Sequence, residues 1–578
     1  MKRASFVATG LLCLILSCSL TTGASAHASV WYVAGDATQS GDGTSWAEAF
    51  QTVEEAVNAA SRGDELWIKT GTYLISKEIG IDKAIALYGG FAGTELNKGQ
   101  RKRQAYPTVL DGNLANRILY VTANMRADEL TFTRGRVKGT SSVDIASGGA
   151  VVIDNARPVL SHCTFRDNRA EGYYDRGGAI YMMDSRPRIY NCLFEKNGAY
   201  GSGGAIFAQN SAPFVRNSQF VDNFVSNYHG AALYSADSSA RIENCLFKNN
   251  RSWLDGGAIY NQASDDCPYS TPLIVDTVFT GNNAWNGGAV YNMRSSPTIA
   301  YCRFLTNTSF HGGAMVNEGV SAKPRITNTL LAKNTAYSVN GNGNGGAMVN
   351  IGGAAPYIAA STFADNLTHL QGSAILNVDS SRAVIHDSIF WGNETVYDPE
   401  GLVIFSDETS SASLSYSDVE GGYPGAGNID ADPLFADPSN DDFQPLAGSP
   451  VIDKGDNMAR FLGKRDLAGK RRILDGDKDG IRQVDMGAFE FGKASVSVTN
   501  NTLAVSRAGG GTVNSNLPGI TCGLVCKENY PPITKVVLSA VPKKGWHFDH
   551  WEGDCSGKKP VCILNMGTKR SAKAVFSR

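Results

Sequence analysis

Alternating acidic residues form the sharpest candidate site in this chain. Asp475, Asp477 and Asp479 occupy every second position, a glycine follows them, and Asp485 comes shortly afterwards. Carboxylates at this spacing, with a glycine where the loop turns, can surround a hard cation with oxygen ligands. Position twelve of the loop is Met486 instead of an acid, so the complete helix–loop–helix calcium motif is broken, and Asp485 is expected to replace the missing ligand. The pattern predicts Ca²⁺ binding, with a solvated acidic turn as the alternative.

Two other carboxylates, Asp184 and Asp237, are the catalytic candidates. Each stands five residues after the alanine of a short Gly- and Ala-rich sequence, and Asn210 holds the same position between them. Polysaccharide lyases use carboxylates that hold Ca²⁺ together with a Lys or Arg base, and hydrolases use paired acids. On stacked coils these two carboxylates would be about 10 Å apart, too far for one ion unless a loop contributes. Turn chemistry, in which short polar side chains bond their own backbone, is the favoured alternative.

A column of aromatic residues is the candidate glycan-binding site. An aromatic ring recurs two positions after the same alanine, at Tyr181, Phe207, Tyr234, Tyr260 and Tyr291. If the adjacent aliphatic residues point inward, these rings point outward, because side chains alternate along a strand. Stacked rings would then form a platform on which sugar faces could lie. The alternatives are ring-on-ring stacking along the molecule, or an orientation with the rings inside.

An internal repeat must position these residues. Between residues 146 and 393 a doublet of small residues, usually Gly-Gly, is followed about 16 residues later by F-x-x-N, and nine such units of about 27 residues keep register. The composition, 42% apolar and 19% charged with 63 Gly, favours strands and turns over disorder or coiled coil.

Each repeat is predicted to be one coil of a solenoid, with three strands and three turns, that buries its apolar face against neighbouring coils. The repeated Phe would form a column inside. The repeated Asn would form a ladder at a turn, where an amide can donate to one coil and accept from another. Before these coils, Thr52 to Glu55 reads as a capping box that begins a short helix covering the first coil.

The two ends of the chain carry export and disulfide signals. Lys2 and Arg3, an apolar run and small residues up to Ala26 predict a signal peptide over residues 1–26, with a lipoprotein cut before Cys18 as the alternative. Near the other end, four closely spaced cysteines in an exported chain favour disulfides over zinc. Three pairings are possible, and the predicted one joins Cys522 to Cys526 and Cys555 to Cys562, so that each disulfide closes a small turn. The cysteines of the repeats are expected to be packed thiols, and Cys267 to lie in a loop.

The motifs resemble known families. GGAI paired with F-x-x-N resembles the repeat of polymorphic outer membrane proteins, which implies a right-handed parallel β-helix of the pectin-lyase-like kind. NIDADPLF, AGSPVIDKGDN and VDMGAFEF resemble the closing region of choice-of-anchor Q proteins. VVLSAVPKKGWHFDHWEGDCSG, near the C-terminus, is similar to divergent internalin B-repeat modules.

These resemblances divide the chain into five parts. They are the signal peptide at 1–26, an N-terminal cap with the first coils at 27–145, nine repeat units at 146–393, a closing region at 394–492 that caps the far end, and a basic disulfide-bonded β module at 494–578.

The resemblance implies export and surface exposure but no particular reaction. The expected function is non-catalytic binding or adhesion to an extracellular polysaccharide or cell-surface glycan, at the surface of a bacterium or in its medium. The alternative is a polysaccharide lyase or glycoside hydrolase. A net charge of −2 gives no support to nucleic-acid binding, and after the signal no stretch is apolar enough to span a bilayer.

Overall fold

The computed structural model describes residues 28–102, 105–139, 146–264, 270–337, 341, 343–397, 401–492, 501–515, 520–522, 526–530, 535–566 and 568–578. The predicted signal peptide and Cys267 lie outside the described residues. No helix in the described part of the chain has the length and apolarity that a membrane crossing needs.

The central part of the chain is a right-handed parallel β-helix, which confirms the predicted fold class. One coil consists of the strands Ile180–Met183, Arg188–Tyr190, Leu193–Glu195 and Gly198–Ala199. The strands equivalent to the first three of these in successive coils form long parallel sheets, here called sheets 1, 2 and 3, with 12, 14 and 13 strands. The fourth strand, two residues long, was not among the three predicted for each coil; it pairs in separate sheets of five and four strands.

The sheets run the length of the rod without a change of direction. Sheet 1 begins at Ile79–Ile81 and ends at Ile404–Ser406. Sheet 2 extends from Val30–Val33 to Ser411–Ser415, and sheet 3 from Gly71–Leu74 to Asp418–Val419. Because equivalent strands pair in parallel and in register, any residue type repeated in the sequence becomes a column along the rod.

The interior of the rod is one apolar core built from such columns. Phe165, Phe194, Phe220 and Phe247 are fully buried, and their rings stack at centroid distances of 4.6–4.8 Å. Inward-pointing aliphatic residues of sheets 1 and 2 complete the same core. The predicted phenylalanine column is therefore confirmed.

The asparagine ladder lies at the turn between sheet 3 and the short fourth strand. Asn197 Nδ2 donates to Asn223 Oδ1 at 3.0 Å and to the carbonyl of Phe165 at 2.9 Å, while its backbone N–H also donates to Asn223 Oδ1. The same set of bonds recurs from Asn168 to Asn366. Each buried amide thus donates to the asparagine of the following coil and accepts from that of the preceding coil, as the repeat predicted.

A short helix covers the N-terminal end of the rod. It spans Val53–Ala59, and Thr52 with Glu55 forms the predicted capping box. The buried side chains of Val53 and Val57 join the interior core. Two single-turn 3₁₀ helices, Lys98–Gln100 and Pro438–Asn440, lie in connecting segments.

The region predicted to close the far end of the rod divides into two parts. The strands up to Asp418–Val419 complete the last coil, and Tyr423 packs against the end of the core. Residues 435–491, here called the flank segment, lie against the side of the rod instead, where Phe443 and Phe489 bury the outward residues Leu330 and Ala332 of sheet 3. The flank segment can bind there because these outward positions are apolar, in contrast to the charged outward residues of earlier coils such as Lys248.

The C-terminal module is a separate β fold with its own core. Its first sheet contains the strands Asn501–Ala508, Lys527–Tyr530, His547–Gly553 and Arg570–Ser577. The second contains Gly511–Ser515, Thr521–Cys522, Lys535–Pro542 and Val561–Asn565. Disulfides join Cys522 to Cys526 and Cys555 to Cys562, which is the pairing predicted from the sequence.

Candidate functional site: an exposed aromatic ridge

The predicted aromatic platform is a buried stack. Tyr181, Phe207, Tyr234, Tyr260 and Tyr291 point away from the interior core, as predicted, and form a separate apolar cluster on sheet 1. Their rings stack on one another at centroid distances of 4.7–5.6 Å, and from Phe207 onward they are at most 9% exposed. The ring faces that a sugar would need are occupied by neighbouring rings, so only edges remain for a ligand.

Neighbouring polar groups close this stack from outside. The guanidinium of Arg176 lies 4.9 Å from the ring centre of Phe207, and the ring of His229 stacks on Tyr260 at 4.5 Å. The hydroxyl of Tyr291 donates to Glu318. The Tyr260 side chain is only 4% exposed, and this burial raises the pKa of its hydroxyl.

A second set of aromatic residues is mostly exposed: seven of its ten members are at least 38% exposed, Tyr228 and Phe310 are half-buried, and His369 is buried. In each coil an aromatic or histidine ring lies in the turn that follows the ladder asparagine and the short fourth strand. We call this set the aromatic ridge: Tyr173, Tyr174, Tyr200, Tyr228, Trp253, Trp285, Phe310, Tyr337, His369 and Tyr397. The exposed fractions of Trp253, Trp285 and Tyr337 are 59%, 53% and 55%. Large apolar side chains concentrated on one surface mark interaction sites.

The ridge follows the axis of the rod because its residues come directly after strands that pair in register. Val225 pairs with Ser252, and Thr308 pairs with Thr335, each a few residues before a ridge ring. With about 4.8 Å between coils, nine coils give a ridge roughly 40 Å long.

Ring contacts organise the ridge into groups. Tyr173 contacts Tyr174 edge-on at 4.8 Å and Tyr200 at 5.3 Å, and Tyr228 lies 6.0 Å from Tyr173. Further along, Trp285 stacks parallel to Phe310 at 5.0 Å. At the far end, His369 lies between Tyr337 and Tyr397 at 4.7 and 5.1 Å.

The sequence carries a signal for this ridge in the spacing of its rings from the ladder asparagines. Six of its rings stand three residues after a ladder asparagine: Tyr200, Trp253, Trp285, Phe310, Tyr337 and His369. The signal is weak in sequence because the following loops differ in length. Nothing in the pattern distinguishes exposed rings from buried ones before the orientation of the turn is known.

The predicted catalytic candidates occupy turn positions. Asp184 and Asp237 have φ of +49° and +47°, and Asn155 and Asn210 at the equivalent positions have φ of +47°. Asp and Asn tolerate this left-handed conformation better than most residues. The carboxylate of Asp237 accepts a hydrogen bond from the backbone N–H of Ser264 at 2.6 Å. The repetition of Asp and Asn is therefore explained by backbone geometry, and a catalytic role for either residue stays a prediction.

A groove of about 570 Å³ opens near the N-terminal end of the ridge. It is lined by five basic and three acidic residues, together with Leu114 and Thr133; the charged residues are Arg134, Arg136, Arg166, Arg169, Lys196, Asp167, Glu171 and Glu195. Several of the charges are paired, since Arg136 contacts Glu171 and Arg134 contacts Asp111. The groove thus has a net positive lining beside the aromatic surface.

The acidic loop contributes only part of its predicted ligand set. Within the described residues, carboxylate oxygens of Asp475 and Asp477 lie within 4.8 Å of each other and of an oxygen of Asp453. The other two predicted ligands are used elsewhere. Asp479 is exposed and accepts from the N–H of Ile481 at 2.7 Å, and Asp485 is buried and accepts from the N–H of Asp453 at 2.8 Å.

A buried ionic network anchors the flank segment to the rod. The guanidinium of Arg472 donates to Glu490 at 2.7 Å and to Asn328 of the rod at 2.9 Å, and both side chains of the ion pair are nearly inaccessible. Asp387 of the rod accepts from the N–H of Asp456 at 2.6 Å. Burial raises the pKa of Asp387 to about 7.

Comparisons with known proteins agree with this architecture. Residues 120–304 match the family described as right handed beta helix region, and residues 501–578 match the divergent InlB B-repeat domain. The "Probable autotransporter YfaL" of Escherichia coli (strain K12) is 29% identical over 203 residues. That alignment covers 31% of this chain and 16% of the relative, so the chain spans only a small part of its length.

Solved β-helical enzymes are more distant. The PL6 family alginate lyase AlyGC is 14% identical, with a TM-score of 0.39, and the alignment covers 79% of this chain and 60% of that one. Pectate lyase Pel9A is 15% identical, with a TM-score of 0.31 and coverage of 80% and 96%. Similarities at this level carry no information on substrate or activity.

Proposed function

We propose that this chain is an exported β-helical surface protein that binds an extended glycan without cleaving it, and that the aromatic ridge is the contact surface. The observation that carries this proposal is the ridge itself, in which seven exposed rings on six of nine coils follow the rod over roughly 40 Å. Aromatic rings offer large apolar area at small conformational cost, and a linear array of them suits a linear ligand.

Export and surface location have separate support. The aligned relative is named as an autotransporter, and the C-terminal module matches a divergent B-repeat domain. Two disulfides in that module suit an oxidising compartment. The resemblance of the repeats to polymorphic outer membrane proteins, and of the flank segment to choice-of-anchor Q proteins, agrees with the same location.

The decisive experiment measures binding of the purified chain to a panel of soluble neutral and acidic polysaccharides by titration calorimetry. A Trp253→Ala/Trp285→Ala variant removes two exposed rings. Two ring contacts at about 1 kcal/mol each predict a loss of affinity of roughly 10- to 30-fold.

The matched control is a Leu96→Ala/Val320→Ala variant, which removes two apolar side chains that are even more exposed than the tryptophans and lie outside the ridge. This control should bind like the unmodified chain. The proposal fails if the tryptophan variant also keeps full affinity for every polysaccharide that the unmodified chain binds. A Tyr234→Ala/Tyr260→Ala variant in the same assay tests the glycan contact predicted for the buried column.

A second candidate function, a polysaccharide lyase or hydrolase, is favoured by the groove, where basic and acidic side chains stand side by side. Incubation of the same panel with the chain tests this function through new reducing ends or the absorbance of unsaturated products. If products form with the unmodified chain and disappear with an Arg166→Ala/Lys196→Ala variant, the chain is an enzyme and the groove is its site.

A further inference from the structure

Three carboxylates from two separate parts of the flank segment meet at one point. Asp453 comes from the turn after AGSPVI, and Asp475 and Asp477 come from the acidic loop more than twenty residues later. One carboxylate oxygen of each lies within 4.8 Å of the other two. Such proximity of three like charges is costly unless a cation or protons neutralise them.

Two of the oxygens in this group are buried without a partner. Asp453 is only 4% exposed, and its Oδ1 has no hydrogen-bond donor among the described residues. Its Oδ2, in contrast, accepts from the backbone N–H groups of Gly476 and Asp477, both at 2.7 Å. Asp475 Oδ1 is likewise buried and unpartnered within the described residues. Buried polar atoms are normally satisfied, so two orphaned acceptors in one cluster require an explanation.

We infer that Asp453, Asp475 and Asp477 form a divalent-cation site that takes Ca²⁺. Carboxylate oxygens are the ligands that this hard cation prefers, and an ion between them would use the two unpartnered acceptors. Asp477 is exposed, so water can complete the coordination on the open side. The ammonium of Lys454 lies 3.8 Å from Asp477 Oδ2 at this rim, which leaves the inner oxygens of Asp453 and Asp475 to the cation.

The site differs from the one expected from the acidic motif alone. Asp485 accepts the N–H of Asp453 and so positions that residue. The carboxylate of Asp479 accepts from the N–H of Ile481, and only its backbone N–H reaches the site, where it donates to Asp477 Oδ1 at 3.1 Å. The cation would therefore join the turn at Asp453 to the acidic loop. Both belong to the flank segment, which contacts the rod through Asp456 and through Ala488, whose N–H donates to Thr362. Ca²⁺ would stabilise the flank segment in its place on the rod.

The experiment is a calorimetric titration of the full chain with CaCl2 after treatment with chelator. Four proteins are compared: the unmodified chain, Asp453→Asn, Asp475→Asn and Asp479→Asn. Loss of a direct ligand should weaken binding at least about 10-fold, the lower end of the effect of an outer-shell partner. Asp479→Asn, a change of the same kind in the same loop, should bind like the unmodified chain.

A thermal measurement separates cation binding from a structural role of Asp453. In chelator, Asp453→Asn should melt at the same temperature as the unmodified chain or higher, because it removes one of three repelling charges. In excess CaCl2 the order should reverse, since only the unmodified chain gains stability by mass action. The inference is overturned if the unmodified chain shows no heat of binding, if Asp479→Asn loses as much affinity as Asp453→Asn, or if Asp453→Asn melts lower in both conditions. This result is independent of glycan binding.

Discussion

A substitution in the asparagine ladder tests how the rod is held together. Asn250 is fully buried, and its Nδ2 donates to the carbonyl of Phe220 and to Asn282 Oδ1, both at 2.9 Å. Its Oδ1 accepts from the backbone N–H and from Nδ2 of Asn223 at 3.1 and 3.0 Å. Asn250→Asp preserves shape and acceptor capacity but removes both donated bonds.

The magnitude follows from these contacts. Two lost hydrogen bonds cost about 1 kcal/mol each, and the introduced carboxylate would face two acceptor oxygens in a site closed to water. We therefore expect the free energy of unfolding of the rod to fall by at least about 3 kcal/mol at pH 8. The loss should be smaller at pH 5, because protonation of a buried carboxyl restores one donor.

The assay is urea unfolding of the full chain followed by the circular dichroism of the strands. The preceding residue offers a matched control, because Asn249 is exposed and Asp holds the equivalent turn position in other coils, at Asp167 and Asp222. Asn249→Asp should shift the midpoint little. Equal midpoints for Asn250→Asp and Asn249→Asp would refute the claim that the ladder stabilises the coils.

Three further predictions concern stability. Burial raises the pKa of Asp387 to about 7, so this carboxyl destabilises the folded chain increasingly as pH rises from about 4 through 7. Asp387→Asn should therefore raise the free energy of unfolding by up to about 4 kcal/mol at pH 8 and much less at pH 4, which a higher melting temperature at pH 8 would show. Tyr260→Ala should lower the unfolding free energy of the rod by about 3 kcal/mol in urea titrations, because it opens the buried stack. Replacing Cys555 and Cys562 by Ser should destabilise the C-terminal module by about 2 kcal/mol in thermal unfolding, with the transition of the rod unchanged.

The rod was predictable because its information is periodic. The spacing of Gly-Gly and F-x-x-N specifies one coil, and stacking then converts every repeated position into a column, as Phe165 and Asn197 show. The capping helix at Val53–Ala59 was predictable for a different reason, since a capping box acts through residues three apart. Neither depends on contacts between segments more than about one coil apart in the repeat.

The candidate sites were less predictable because exposure is not periodic. Tyr260 and Trp253 both recur at fixed positions of the repeat, but one is buried by its neighbours and the other lies in a turn open to solvent. The difference arises from the direction of the backbone at the turn and from side chains of adjacent coils, such as His229 on Tyr260. A column in the sequence therefore does not reveal which of its sides faces water.

The sequence by itself determined the coil, its internal columns, the capping helix and the pairing of cysteines in the small module, because each depends on residues close together or repeated along the chain. The tertiary structure alone decided where the flank segment binds and which carboxylates meet. Asp453 reaches the acidic loop, and Asp485 turns away to hold the backbone, only when residues 435–491 fold back along sheet 3. That arrangement rests on apolar contacts with Leu330 and on the buried hydrogen bond from Arg472 to Asn328, whose partners are too far apart in sequence for any local pattern to record.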